Sequence, residues 1–213
     1  MPFFFPSTVK INKNHFRVTI FGSARLKKND SRYRLVHTLA KMIGKEGLDI
    51  ITGGGPGLMD AASRGHHKGS NGNGAHSIGL TIKLPKEQVS GYHLDIKKDF
   101  TKFSGRLDKF MELSNVVVVA PGGIGTILEL FYTWQLVQVK HICDTPIILL
   151  GKHWPGLMKW IKKEILGKGL MSKEDFNFIF QANNCTDAMK IIKKVHKDFQ
   201  DNPHLCRNLE RYK

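Results

Sequence analysis

Val116-Val-Val-Val-Ala120-Pro121-Gly-Gly-Ile-Gly-Thr126 is the stretch on which the fold turns. An unbroken β-branched run, with no polar residue at alternate positions, is what a strand buried on both faces looks like. It ends abruptly in a proline-glycine loop, and a mostly apolar helical pattern follows over about 126–139. Strand, glycine loop and helix in that order make one βα unit. The same order occurs twice upstream. Arg17-Val-Thr-Ile-Phe-Gly22 stops at a glycine, and Asp49-Ile-Ile-Thr52 runs into Gly53-Gly54-Gly55 and then a helix from about 57 to 67.

Working outward, Leu35, Val36, Leu39, Ala40 and Ile43 recur at helical spacing, and Gly47 supplies the stop. Ser77-Ile-Gly-Leu-Thr-Ile82 reads as a third strand closed by Pro85, and Leu107, Phe110, Met111 and Ser114 make a helical face ahead of the valine run. Pro146-Ile-Ile-Leu-Leu150 is a further buried strand, with a helix over 154–166, a short strand over 175–181 and a last helix over 186–199. Residues 1–15 read as an N-terminal arm and 200–213 as a polar tail, with the whole of 1–213 forming one domain. This alternation predicts a doubly wound parallel α/β sheet of Rossmann-like type, with helices on both faces. In such sheets ligands bind beyond the carboxyl ends of the strands. The glycines fall there.

Composition narrows the function. A chain of 213 residues, 41% hydrophobic, buries roughly 70% of its unfolded surface and needs only one core. No apolar run approaches the ~20 residues of a bilayer span, and the apolar opening over 1–6 is too short for a signal-peptide core. Cys143, Cys185 and Cys206 are odd in number and far apart, which indicates neither a zinc knuckle nor a disulfide framework and fits a reducing cytoplasm. The ten histidines, including the pair His66-His67, show no metal-ligand spacing and read as scattered surface residues. The net charge of +15 favours anionic partners in general. Many of the lysines sit on the solvated faces of helices, so the charge names no particular partner.

The loops name one better. Amides in a glycine turn, together with the free N–H groups of the helix that follows, form an anion site. Gly122, Gly123, Gly125 and Thr126 supply this after the valine strand, and Gly53, Gly54, Gly55 and Gly57 repeat it after the second strand. A tight turn with no ligand is the bland alternative for each. Neither loop satisfies G-x-G-x-x-G, since Leu58 and Leu128 occupy the third glycine position, and no P-loop signature is present.

Together with Phe21-Gly22-Ser23-Ala-Arg25, these motifs resemble the LONELY GUY (LOG) family, the phosphoribohydrolases that release cytokinins from their riboside monophosphates and often carry the label lysine decarboxylase. Residues 53–59, Gly-Gly-Gly-Pro-Gly-Leu-Met, match G-G-x-x-G-L-M of the family pattern, and P-G-G-x-G-T-x-x-E matches 121–129 in full. The resemblance covers about residues 18–166. It implies a catalytic pair, which falls on Arg106 and Glu129, and a base contact at Met59. It also implies a homodimer with the active site at or near the interface, and a reaction needing no metal and no redox cofactor. Two departures stand out: Leu107 follows Arg106 where the family carries lysine, and Asp60 follows Met59 where plant members carry glycine.

The chemistry suits these residues on independent grounds. Cleaving an N-glycosidic bond develops oxocarbenium character on the ribose, which a carboxylate can stabilise, attack or relieve by activating water. Glu129 is expected in the first turn of its helix, close to the phosphate loop. Its bland role is to complement the helix dipole, that of Arg106 to sit on the surface or pair with an acid, that of Met59 to fill the core, and that of Ser23 beside Gly22 to cap a turn. The helix over 126–139 is apolar almost all round, so it is either wholly internal or meets another subunit.

The expected function is therefore hydrolysis of a nucleoside 5′-monophosphate to free base and ribose 5-phosphate, with AMP or an N6-modified AMP the foremost substrates, no membrane partner and the preferred base not read from sequence. The first rival is a non-catalytic carrier of a nucleotide or of the molybdenum cofactor. The second is a single-strand DNA binder, disfavoured because aromatic residues are only 9% and lie in apolar runs. Pyridoxal-dependent decarboxylation would need a Schiff-base lysine and a partner for the ring nitrogen. No motif supplies both.

Overall fold

The computed structural model describes residues 14–82, 93–202 and 205–208. Most of the expected N-terminal arm, the Pro85 stop and part of the tail lie outside them. Seven strands form one sheet: β1 Arg17–Phe21, β2 Asp49–Thr52, β3 Ser77–Ile82, β4 Ile96–Phe100, β5 Val116–Val119, β6 Ile147–Leu150 and β7 Ile179–Ala182. Their spatial order is β4-β3-β2-β1-β5-β6-β7 and every pairing is parallel. Among the described residues six helices accompany them: α1 Ser31–Lys45, α2 Leu58–Ser70, α3 Phe103–Leu113, α4 Ile124–Gln138, α5 Pro155–Glu164 and, after the last strand, α6 Cys185–Asp201. The expected doubly wound Rossmann-like sheet is what forms.

The valine run carries both cores. Val116 and Val118 enter one apolar layer with α1, α2 and α6, while Val117 and Val119 enter the other with α3, α4 and α5. All four are fully buried, as an unalternating strand requires. Strand order reverses between β1 and β5, and at such a switch point the two βα loops diverge and leave a crevice. Gly22 and the 121–126 loop stand on its two sides.

Several expectations are corrected. Strand β4 was not anticipated, because its sequence Ile-Lys-Lys-Asp-Phe has no apolar run; it is the sheet edge, where charges discourage further pairing. The strand expected over 175–181 is instead a 3-10 turn, Lys173–Phe176, followed by β7. Ser172 and Asp175 close a capping box that turns the chain. His66 is no surface residue. It is fully buried, with Nε2 2.8 Å from the Leu48 carbonyl, and burial lowers its pKa, which keeps the ring neutral.

The cysteine reading is also overturned, since Cys143 and Cys206 form a disulfide with a Cα separation of 5.7 Å. A spacing of 63 residues hides the pair, and the tail folds back to make it. Asn208 is buried there, donating to the Ser114 carbonyl and the Thr145 hydroxyl and accepting from the Cys143 amide, each at 2.8 Å. Cys185 stays free, donating to the Leu35 carbonyl. No helix among the described residues is long and apolar enough to cross a membrane.

Helices α1 and α2 touch through glycine. A Cβ added to Gly65 would lie 2.1 Å from the His37 carbonyl oxygen, and one added to Gly69 would lie 2.1 Å from that of Lys41. Backbone cannot yield as a side-chain tip can, so either methyl group would force the helices apart. Gly65→Ala and Gly69→Ala should each cost about 1–3 kcal/mol or more, despite alanine's better helix propensity. Urea unfolding checks this, and wild-type stability in both variants would refute the close contact.

Candidate functional site

A cavity of about 880 Å³ opens at the carboxyl ends of β1, β2, β3 and β5. That volume lies within the range of small-molecule sites. Gly22, Ser23, Gly53, Gly54, Gly55, Met59, Arg106, Gly123, Gly125, Thr126 and Glu129 all line it, so the structure gathers eleven of the thirteen residues picked from sequence. Gly57 and Gly122 stand behind the wall. Gly57 is the N-cap of α2 with φ +67°, a conformation glycine adopts freely, and an added Cβ would meet the Ser23 carbonyl at 2.3 Å. At Gly122 a Cβ would strike the Thr126 hydroxyl at 2.1 Å.

The two glycine loops are not equivalent. In the second-strand loop the Gly54 amide donates to the Thr52 hydroxyl at 3.1 Å, and the Leu58 amide, first of α2, donates to the Ser23 carbonyl at 2.8 Å. Those amides are occupied with holding the loop. The loop after β5 leads straight into α4, whose first intrahelical bond is Ile127 N–H to the Gly123 carbonyl at 2.9 Å. Helix geometry leaves the amides ahead of it, at Ile124, Gly125 and Thr126, without an intrahelical acceptor. The stronger anion cradle is therefore the start of α4. The Ser23 hydroxyl accepts the Arg25 amide at 3.1 Å, a turn-capping bond that leaves its own proton to donate.

Arg106, on α3, is buried beneath the second glycine loop. Its Nε donates to the Leu80 carbonyl at 2.7 Å, and its guanidinium lies 5.1 Å from the Phe110 ring centroid. An added Cβ on Gly53 would sit 2.3 Å from Nη2, so the glycine at that position also makes room for the guanidinium. Glu129 faces it from α4 with Oε1 3.7 Å from Nη1. That distance is coulombic rather than a hydrogen bond. Because α4 begins two residues earlier than expected, Glu129 sits in its second turn and not its first, which moves it back from the helix mouth toward Arg106.

Burial pushes the Glu129 carboxyl up to about 7, with the Arg106 charge only partly opposing the shift. The side chain is 14% exposed, so little water remains to solvate its anion. Burial lowers the Arg106 pKa, and Glu129 opposes that. The pair is thus an acid poised near neutrality beside a fixed cation. A helix-dipole role alone would have left Glu129 in solvent.

Sequence reasoning missed Arg25, Thr81, Lys97, Asp99, Phe103 and Ile124, all of which line the cavity. Lys97 and Asp99 belong to the unforeseen strand β4, pair with each other at 3.2 Å, and Thr81 donates to Asp99. Their only sequence signal was charge in an edge strand. Helix α4 is not internal throughout: Leu130, Thr133, Trp134 and Val137 are buried, while Ile124, Leu128 and Phe131 stand exposed on another face.

Known proteins resemble this chain in sequence and in fold. A family profile described as "Possible lysine decarboxylase" matches residues 59–192. A pyrimidine/purine nucleotide 5′-monophosphate nucleosidase from Escherichia coli K12 is 30% identical over 134 residues, which cover 58% of this chain and 28% of that protein. A probable cytokinin riboside 5′-monophosphate phosphoribohydrolase from Oryza sativa subsp. japonica is 31% identical over 159 residues, covering 70% of this chain and 61% of the relative. The chain thus matches less than two thirds of the length of each. Among solved structures, the molybdenum cofactor carrier protein of Chlamydomonas reinhardtii has a TM-score of 0.62 at 20% identity, over 86% of this chain and 99% of that one. That likeness concerns the fold alone.

A raised carboxyl pKa has a thermodynamic consequence. The folded state holds the Glu129 proton more tightly than the unfolded state, so this group's contribution is fully present below the unfolded value of 4.5 and is lost as pH rises through about 7. Glu129→Gln removes that loss. Its stability relative to wild type should climb between pH 5 and 7 by on the order of 2–3 kcal/mol and level off above. Urea midpoints measured at pH 5, 6, 7 and 8 read this out, and a flat difference would show an ordinary carboxyl.

Proposed function

The chain belongs to the LOG family, the family whose profile is described as a possible lysine decarboxylase, and from that premise we propose that it hydrolyses a nucleoside 5′-monophosphate to free base and ribose 5-phosphate. The observation that carries the proposal is Glu129, a carboxyl raised to about 7 and held opposite Arg106 on the wall of a glycine-lined cavity. The 5′-phosphate takes the amides at the start of α4 with the Thr126 hydroxyl, and Ser23 donates to phosphate or ribose. The ribose then reaches Glu129, five residues along the same helix. Met59, whose side chain lies over the glycine loop against Gly53 and Gly55, contacts the base.

In the reaction the C1′–N bond breaks, its electron pair leaves with the base, and water adds to C1′. Ionised Glu129 stabilises the oxocarbenium character and takes a proton from the attacking water, whose OH stays on C1′; that proton, passed on directly or through solvent, ends on the nitrogen of the departing base and leaves Glu129 ionised again. Arg106 keeps a fraction of Glu129 ionised and balances charge as the bond opens. Decarboxylation is a poor match. Lys97 is the one lysine among the described residues lining the cavity, and it is paired with Asp99 at the exposed sheet edge rather than buried in the pocket.

Homodimerisation belongs to this proposal. Ile124, Leu128 and Phe131 recur at i, i+4 and i+7 on the outer face of α4, where an apolar stripe beside the cavity is suited to a second copy. A cytoplasmic location belongs to it too, on the ground of the substrate class alone, since disulfides such as Cys143–Cys206 are more usual in oxidising compartments.

The test is a panel of purine and pyrimidine monophosphates, assayed for free base and ribose 5-phosphate. Wild type should release both, and Glu129→Gln and Arg106→Ala should each lose about 10²–10³ in kcat/KM. Gly53→Ala keeps both side chains but pushes into the guanidinium, and should approach the Arg106→Ala rate. An inert wild type would end the proposal; full activity in Glu129→Gln would remove the carboxylate from its role. The wild-type kcat/KM should also rise with pH through about 7, as a base that must be ionised requires.

A further inference from the structure

The opposite end of the sheet carries a second cluster. His15 precedes β1, Asp49 begins β2 and His76 precedes β3, so the parallel register brings three segments distant in sequence to one edge. His15 Nδ1 lies 3.1 Å from Asp49 Oδ2, His76 Nδ1 lies 3.7 Å from Asp49 Oδ1, and the three ligand atoms all fall within 4.8 Å of one another. The two imidazoles face each other at 26°, with centroids 6.0 Å apart. Among the described residues this is the one such grouping of three histidine, cysteine or acidic side chains.

We propose that His15, Asp49 and His76 form a site for a borderline divalent transition ion of the Zn²⁺ type, binding through two imidazole nitrogens and one carboxylate. Around a tetrahedral ion with bonds of about 2.0–2.2 Å, neighbouring ligand atoms stand roughly 3.3 Å apart. The 3.1 Å between His15 Nδ1 and Asp49 Oδ2 already approaches that spacing, and all three ligand atoms fall within 4.8 Å. The remaining separation closes by rotating the imidazoles, which are 34% and 28% exposed and so have solvent on one side into which to turn. Two nitrogens with one oxygen suit zinc and its neighbours better than magnesium or calcium, which prefer oxygen alone. Water would complete the shell.

The backbone holds the ligands ready. Asp49 N–H donates to the Phe16 carbonyl at 3.1 Å and Ile50 N–H to the His76 carbonyl at 3.0 Å, which pins the residues flanking all three ligands. The His76 amide donates to Asp49 Oδ1 at 2.8 Å, orienting a carboxylate that is only 3% exposed and leaving Oδ2 to the ion. The charge around it is favourable. Arg17 is the nearby cation, and it interacts with both Asp49 and Glu112; Asp95 adds a third acid, acting with Asp49 on His66. Glu112 is itself paired with Lys109 at 2.6 Å, so Asp49 and Asp95 are the two carboxylates set against the Arg17 guanidinium. A bound ion would tie the starts of β1, β2 and β3 together far from the catalytic cavity.

The test uses full-length protein without a histidine tag, stripped with a chelator and titrated with Zn²⁺ against a chromophoric competitor. Wild type should take up one equivalent, and a hundredfold excess over Kd should raise Tm by roughly 5–10 °C. Co²⁺ in place of zinc should give the visible absorption of a four-coordinate site. His15→Gln and His76→Gln, at partly exposed positions whose folding is verified by circular dichroism, should each weaken binding at least tenfold and abolish the Co²⁺ bands. Turnover by the catalytic cavity should be unchanged in both. Absence of stoichiometric uptake, or equal uptake by the His15→Gln/His76→Gln double variant, would overturn the proposal, the latter by showing that other histidines take the ion.

Discussion

A strand that must be dry on both faces is the constraint from which the rest of this molecule follows. Strand β5 sits between β1 and β6 with its four valines shared by two apolar layers, and nothing polar can be placed along it. Its chemistry is therefore forced to its end, where the chain leaves the core through Pro121 and two glycines and turns into α4. Because β5 adjoins β1 at the point where strand order reverses, the loops leaving these two strands cannot fill the space between them. The cavity exists because the sheet is wound in both directions.

Within that cavity electrostatics is organised by depth. The free amides at the start of α4 are near the opening, suited to an anion that arrives with its own hydration to shed. One turn further in, Glu129 is starved of water and titrates near neutrality instead of in the ordinary carboxylate range. Arg106 is fixed from three directions, by the Leu80 carbonyl, the Phe110 ring and the space left by Gly53. A guanidinium so constrained cannot collapse onto the carboxylate, which explains a separation of 3.7 Å where an exposed pair would close to hydrogen-bonding distance.

How much of this could be read from the chain alone depends on which residues carried a pattern. The buried strands, the glycine loops and the helices that follow them were legible because burial on two faces, backbone turning and helical periodicity each leave a local mark. Glu129 stood in a motif, whereas Arg106 was indicated only by the resemblance, from its place on the helix ahead of β5. Strand β4 was not legible, since an edge strand with three exposed charged residues at its centre resembles a loop, and its Lys97 and Asp99 were lost from the site with it. The Cys143–Cys206 bond, the buried His66 and the meeting of His15, Asp49 and His76 share another cause. Each joins positions that meet only in the tertiary fold, through the returning tail, through α2 packed beside β2, and through the parallel register of β1, β2 and β3, and no spacing rule anticipates them.

The interlocking of α1 and α2 through Gly65 and Gly69 bears on how the cavity would receive a guest. Helix α2 carries the second glycine loop on its leading end, and its trailing half is seated directly on the backbone of α1. It behaves as a braced beam: the rim it supports has no slack with which to swing. Such a rim is shaped before any visitor arrives, so little ordering entropy remains to be spent on entry. Discrimination between visitors then falls to the side chains around the mouth rather than to a closing movement of the frame.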